Sequence, residues 1–182
     1  MNASEHIVEC YFRHVLKCLT MTDVKVVDGM NRQCDLLAAN IKEGKYYHVE
    51  SSVTHRTMWA PGTKELKAIF DAKFRGITKE NESPNSERKK GKTYFENIKK
   101  TYRLFGLPPS KVARVFVCWL VKDKDKENVP KLVDEYKKQY GIKVDIISFK
   151  DTILPDLVEA VGTSNYDDEI LRTISFFKEL KK

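Results

Sequence analysis

Asp35 and Glu50 are the residues from which chemistry can first be argued. Asp35 stands in the run Cys34-Asp35-Leu36-Leu37-Ala38. Glu50 stands in Tyr46-Tyr47-His48-Val49-Glu50-Ser51-Ser52. Both runs read as β-strands, and side chains alternate along a strand. Asn31, Gln33, Asp35 and Leu37 then share one face, and His48, Glu50, Ser52 and Thr54 share one face of the next strand. A hairpin about Glu43-Gly44 brings Asp35 and Glu50 close together. Two carboxylates inside apolar strands are costly to bury without a partner. A hard divalent cation, Mg²⁺ or Mn²⁺, is a natural partner for carboxylate oxygens. Glu9, or failing it Glu5, could add a third ligand from the first helix. The plainer reading is a pair of solvated acids at strand ends, because Asp and Glu are mostly exposed.

The elements that must position these residues follow from periodicity. Asn2 and Glu5 fit a capping box, and Val8, Phe12, Val15 and Leu19 recur at helical spacing, predicting a helix over Ser4 to Leu19. Short strands are expected at Val24 to Val27, Arg32 to Asn40 and Lys45 to Thr54, with tight turns between them, as in an antiparallel meander. Thr63 to Ile77 reads as a helix with Leu66, Ile69, Phe70, Phe74 and Ile77 on its apolar side. Residues 78–92 (TKENESPNSERKKGK) carry almost no core-forming side chain and read as a flexible charged loop. A helix over Thr93 to Phe105 follows, with Phe95, Ile98 and Tyr102 on one face. The apolar run Ala113 to Val121 suits a strand buried on both faces. Val129 to Tyr140 reads as a helix closed by Gly141, and Val144 to Phe149 as a strand, together a parallel crossover unit. Leu154 to Val161 and Asp167 to Leu180 close the chain as helices. The expected fold is α/β: a three-layer α/β/α sandwich with a mixed central sheet, in one domain spanning 1–182.

Composition narrows the function classes. The 182 residues are 41% hydrophobic and 32% charged, which suits a globular chain with a real core. No run approaches the roughly 20 apolar residues of a membrane span, and no signal peptide is visible, so a cytoplasmic location is expected. Lys and Arg total 33 against 26 Asp and Glu, a net charge of +7 that suits a polyanionic partner. Cys10, Cys18, Cys34 and Cys118 contain no Cys-x-x-Cys and read as reduced, buried thiols. There is no P-loop, no Gly-x-Gly-x-x-Gly and no His-Glu-x-x-His. His48 and His55 have no spacing signature of a nucleophilic triad.

The segment Gly29-Met30-Asn31-Arg32-Gln33-Cys34-Asp35-Leu36-Leu37-Ala38, followed by Tyr46-Tyr47-His48-Val49-Glu50-Ser51-Ser52, resembles the PD-(D/E)XK nuclease superfamily, whose fold is restriction-endonuclease-like. The order helix, three-strand meander, helix, strand matches that family's core over roughly residues 4 to 150. The resemblance places Asp35 and Glu50 in the motif's acidic positions, with Glu9 fitting best as the acid of the first helix. It implies a Mg²⁺-dependent nuclease in which Asp35, Glu50 and the backbone carbonyl of Ser51 hold the metal. Gln33 and His48, on the same strand faces, would steer water or substrate. The family's lysine, two residues after the motif Glu, is replaced here by Ser52. Some members carry that lysine on the following helix, and Lys73 is the candidate: it falls inside the apolar stripe of its helix, where a lysine is out of place. Arg56 and Lys67 are weaker substitutes.

From Arg88 to Arg103 the chain holds seven basic residues and one acid. Lys89, Lys90, Lys92, Lys99, Lys100 and Arg103, interleaved with Tyr94, Phe95 and Tyr102, would give salt-sensitive contacts to DNA phosphates; the plainer reading is a solvated loop and helix face. Phe176 on the last helix reads as core or as a homodimer contact. Two other function classes stand beside the nuclease. One is a catalytically inactive nucleic-acid-binding module of the same fold. The other is an interaction protein whose charge serves only solubility.

Overall fold

The computed structural model describes residues 2–53, 60–77 and 93–180. It is an α/β structure. Its elements are α1 (Ala3–His14), β1 (Leu19–Lys25), β2 (Gln33–Asn40), β3 (Lys45–Ser52), α2 (Thr63–Phe74), α3 (Phe95–Leu104), β4 (Val112–Cys118), α4 (Val129–Tyr140), β5 (Val144–Ser148), α5 (Leu154–Ala160) and α6 (Glu169–Glu179). The strands form one open mixed sheet in the order β1-β2-β3-β4-β5. The meander β1-β2-β3 is antiparallel, while β4 and β5 run parallel to β3. Parallel neighbours need long connections, and α2 and α3 lie between β3 and β4 as α4 does between β4 and β5.

Alternation along the strands divides the core. Leu36, Ala38, Val49, Val115 and Val117 pack against Val8, Tyr11 and Phe12 of α1. Leu37 and Val112 pack against Ile98 and Tyr102 of α3. Phe116 and Cys118 pack against Leu66, Phe70 and Phe74 of α2 and Tyr136 of α4. β4 is buried almost end to end, as its nearly all-apolar sequence requires, and Arg114 within it is buried too. All four cysteines are free and buried.

The caps explain the helix ends. Asn2 Oδ1 accepts from the Glu5 amide at 3.0 Å, and Glu5 Oε2 accepts from the Asn2 amide at 2.8 Å, the expected box. α4 runs from Val129 to Tyr140 as expected and closes on Gly141 at φ 68°, a left-handed cap that glycine adopts without strain. Other boundaries differ. The first helix stops at His14 rather than Leu19, because the chain turns left-handed at Lys17 (φ 55°) and Leu19 opens β1, 71% exposed. That strand is correspondingly Leu19–Lys25, earlier and longer than the expected Val24 to Val27. α2 ends at Phe74, three residues before Ile77, and β4 ends at Cys118 rather than Val121. Phe149 belongs to a π turn over Phe149–Ile153 instead of β5. In α6, Leu171 is buried, but Phe176, Phe177 and Leu180 are exposed, so the last turn is not the core stripe that its spacing suggests. The charged segment 78–92 lies outside the described residues, as do His55 and Arg56. Among the described residues, no helix is long and apolar enough to cross a membrane.

Asp168 joins the two ends of the chain. Its carboxylate accepts from the Ile170 and Leu171 amides at 3.0 and 3.2 Å, capping α6, and contacts His6 Nε2 of α1 at 2.9 Å. Loss of such a cap costs about 1 kcal/mol. Asp168→Ala should therefore lower the melting temperature by about 2–4 °C in a thermal scan. Asp168→Asn, which keeps an oxygen for the cap, should recover part of that. Equal melting temperatures for Asp168→Ala and the parent protein would remove this role.

Candidate active site

β2 and β3 bring the two carboxylates together as their alternation demands. The ladder pairs Leu36 with Val49 and Leu37 with His48. Beyond Leu36 a side chain takes over from the backbone: the Ser51 amide donates to Asp35 Oδ2 at 2.8 Å. Asp35 is thereby fixed beside β3, next to Glu50. Ser51 enters the site through this amide.

α2 supplies the cation. Leu66, Phe70 and Phe74, four residues apart, are fully buried against the sheet. Lys73 lies on the border of that stripe, and its amine reaches the carboxylates. Lys73 Nζ stands 2.6 Å from Glu50 Oε2 and 3.6 Å from Asp35 Oδ1. The helix itself is held in register. Arg32, just before β2, donates to the Ala72 carbonyl at 3.0 Å, with its guanidinium 4.9 Å from the centre of the Tyr94 ring. Asp71 accepts from Tyr136 of α4 at 3.0 Å and from Arg75 at 2.8 Å.

Glu50 is 1% exposed and His48 is wholly buried. His48 Nε2 lies 2.7 Å from Glu50 Oε1, and its Nδ1 is hydrogen-bonded to the Tyr102 hydroxyl at 2.6 Å. Cys34 lies against the same pair. His48 therefore meets no solvent, and the expectation that it steers water or substrate gives way to an interior role. The reason is tertiary: α3 lays Tyr102 over that face of β3.

Environment separates the two acids. Burial, then the charge of Glu50, pushes the Asp35 carboxyl up to about 6, against the pull of Lys73 and the Ser51 amide. Burial also pushes Glu50 upward, but the hydrogen bond and charge of His48, then Lys73, bring it below the ordinary value. For Lys73, burial opposes the charge, and Glu50 and Asp35 more than offset it, so its pKa is raised. His48 is raised well above the usual histidine value: burial opposes this, and Cys34, Tyr102 and Glu50 around it prevail.

The oxygens suit a hard cation. The Lys73 ammonium is the charge partner of Glu50 Oε2, a buried oxygen, at 2.6 Å. Two adjacent carboxylates, that of Asp35 on the cleft and that of Glu50 buried beside it, are oxygen donors of the kind Mg²⁺ or Mn²⁺ takes, and the Lys73 ammonium stands close to both. The site opens on a cleft of about 370 Å³, lined among others by Arg32, Gln33, Asp35, Lys73 and Ile98.

The other expected residues fall variously. Gln33 lines the cleft, and its amide donates to Asp23 Oδ1 at 3.3 Å. Glu9 is not brought to the carboxylates; its Oε1 accepts from Thr20 at 2.9 Å and lies 3.9 Å from Arg13. Glu5 is the α1 acid whose charge acts on Asp35. Ser52 ends β3 opposite Cys118, and Lys67 is exposed on α2. Of the basic set, Lys99 pairs with Glu96 at 2.8 Å and lies over the Phe95 ring, Lys100 stands 3.7 Å from Asp28, and Arg103 is exposed. These line the outer side of α3, whose inner side carries Ile98 and Tyr102. Lys89, Lys90 and Lys92 lie outside the described residues. Tyr102 and Cys34 are site residues that sequence reasoning missed. Tyr102 stands in the apolar stripe of α3, and nothing in that spacing points to His48.

No family model matches the chain, and neither a curated protein nor a solved structure matches it.

The raised pKa of Asp35 has a stability consequence. Its folded value, about 6, lies above its unfolded value, so the folded state holds this proton more tightly. Stability from this group is present at low pH and is lost as pH rises toward and through about 6. Asp35→Asn should abolish that slope and raise the melting temperature at pH 7 relative to the parent. Parallel melting-temperature curves for the two proteins between pH 4 and 7 would rule out the perturbed carboxyl.

Proposed function

We propose that the chain is a Mg²⁺- or Mn²⁺-dependent nuclease that hydrolyses phosphodiester bonds of DNA. Its fold in this reading is a three-layer α/β/α sandwich with a restriction-endonuclease-like core. The observation that carries the reading is the meeting of Lys73 Nζ with Glu50 Oε2 at 2.6 Å and Asp35 Oδ1 at 3.6 Å at the edge of an open cleft. Lys73 comes from the helix after the meander and brings a cation to the site although Ser52 stands at the motif position.

Asp35 and Glu50 hold the divalent ion in this reading. Such an ion, when bound, lowers the pKa of coordinated water and screens phosphate charge. Hydrolysis forms a bond from water oxygen to phosphorus and breaks the bond to one deoxyribose oxygen, which leaves with a proton. Lys73 keeps its proton, because its pKa is raised, and so serves as a fixed positive charge beside the charge that develops on the phosphate oxygens. Lys99, Lys100 and Arg103 on the outer side of α3 supply sequence-independent contacts to the strand.

Lys73→Met and Asp35→Ala should each reduce Mg²⁺-dependent cleavage of duplex DNA by about 10²–10³-fold. Isothermal calorimetry with Mn²⁺ should show binding that Asp35→Ala weakens. Full cleavage by Lys73→Met would remove the lysine from the mechanism. Absence of cleavage and of metal uptake, with DNA binding intact and unaffected by Asp35→Ala, would favour the inactive binding module.

A separate expectation concerns α3. Replacing Lys99, Lys100 and Arg103 by Ala together should weaken DNA binding and lower the slope of log K against log salt by about one per lost phosphate contact. An unchanged slope would place the DNA elsewhere.

A further inference from the structure

Glu50 carries a feature that the cleft-side chemistry does not use. One of its oxygens faces inward, into a chain of hydrogen bonds that runs from β3 to α3. We infer that His48 and Tyr102 are positioning residues for Glu50: they fix its carboxylate so that Oε1 is occupied by the imidazole and Oε2 is turned to the side of Lys73 and Asp35, where a divalent cation would meet it. This inference rests on the reading of Asp35 and Glu50 as a metal site.

The hydrogen-bond chemistry leaves little freedom. An ionised carboxylate only accepts, so the ring nitrogen 2.7 Å from Glu50 Oε1 must carry the proton: Nε2–H donates. Nδ1 then faces the Tyr102 hydroxyl at 2.6 Å. The ring cannot tilt away. Phe74 meets it edge-on at 5.2 Å and the Tyr102 ring at 5.6 Å, in a wholly buried setting. Tyr102 is fixed in its turn. The neighbouring Thr101 hydroxyl accepts from the Val27 amide at 2.9 Å and donates to the Asn97 carbonyl at 2.9 Å, tying α3 to the chain between β1 and β2. A carboxylate turns readily about its last torsion when nothing holds it. Here one oxygen is held, so the other is aimed. Partners that orient a metal ligand in this way typically govern affinity by about 10–100-fold.

The test is Mn²⁺ binding by isothermal calorimetry on the full chain, with circular dichroism confirming the fold of each variant. His48→Leu, which removes the donor at similar volume, should weaken Mn²⁺ binding by about tenfold or more. Tyr102→Phe, which deletes one hydroxyl, should weaken it by a smaller factor. His48→Gln, whose amide can donate from nearly the same place, should recover most of the affinity. On duplex DNA, kcat should fall across the series while KM holds, which a merely structural role would not produce. If His48→Leu fails to fold, Tyr102→Phe and His48→Gln decide alone. Folded variants with the parent's Mn²⁺ affinity overturn this inference and leave the metal site standing. A parent protein that takes up no Mn²⁺ overturns the metal site and this inference with it.

Discussion

The arrangement of this molecule turns on one buried charge. Glu50 sits in the middle strand of the sheet, 1% exposed. An ionised carboxylate in such a place is unfavourable by several kcal/mol unless partners replace the lost water. Three elements supply those partners: His48 on the same strand, Tyr102 behind it on α3, and Lys73 from α2. Each helix also buries an apolar face against the sheet, so packing and charge compensation require the same docking. Withdrawing one partner would leave a buried charge uncompensated, the costliest kind of defect in a core. The site and the core are therefore not separable here.

The same constraint divides two neighbouring acids into different kinds of group. Asp35 and Glu50 lie on adjacent strands and share Lys73, yet one is pushed up to about 6 and the other is pulled below its ordinary value. Position along the sheet does not explain this, and neither does exposure, since Glu50 is the more deeply buried. The difference is His48, which attends Glu50 alone. Asp35 has one neutral donor, the Ser51 amide, which does not offset burial and the charge of Glu50, whereas the hydrogen bond and charge of His48, with Lys73, bring Glu50 down. Glu50 is the settled negative charge of the pair, and Asp35 is the one that responds to pH.

Much of this was legible from residue order, and the failures have physical reasons. Alternation placed Asp35 and Glu50 on facing strands because period two is enforced by the pleat itself. Lys73 stood out because a lysine inside an apolar stripe must bring its amine to something. Leu19 was drawn into the first helix because helical spacing cannot register a left-handed residue such as Lys17, where the chain breaks away into β1. Glu9 and Glu5, one turn apart, look equivalent on a helix. Only the docking of α1 shows that Glu9 faces Thr20. The apolar spacing of α6 continued through Phe177 and Leu180, yet nothing among the described residues covers those side chains. Tyr102 is the deepest miss. It packs like any core aromatic, and its hydroxyl gains meaning only because α3 crosses over His48.

The charge at the site obeys a requirement of place rather than of sequence. Two carboxylates at close range repel, and a cation must stand near both. Strand alternation could supply it two residues after Glu50, but that position is Ser52. The helix facing the sheet supplies it instead, and the requirement moves from local geometry to tertiary packing. A lysine on β3 would be positioned by the pleat alone. Lys73 is positioned only while α2 holds its angle, which depends on Arg32 gripping the Ala72 carbonyl and on Tyr136 gripping Asp71. Contacts away from the carboxylates are thus part of what sets the distance between Nζ and the two acids.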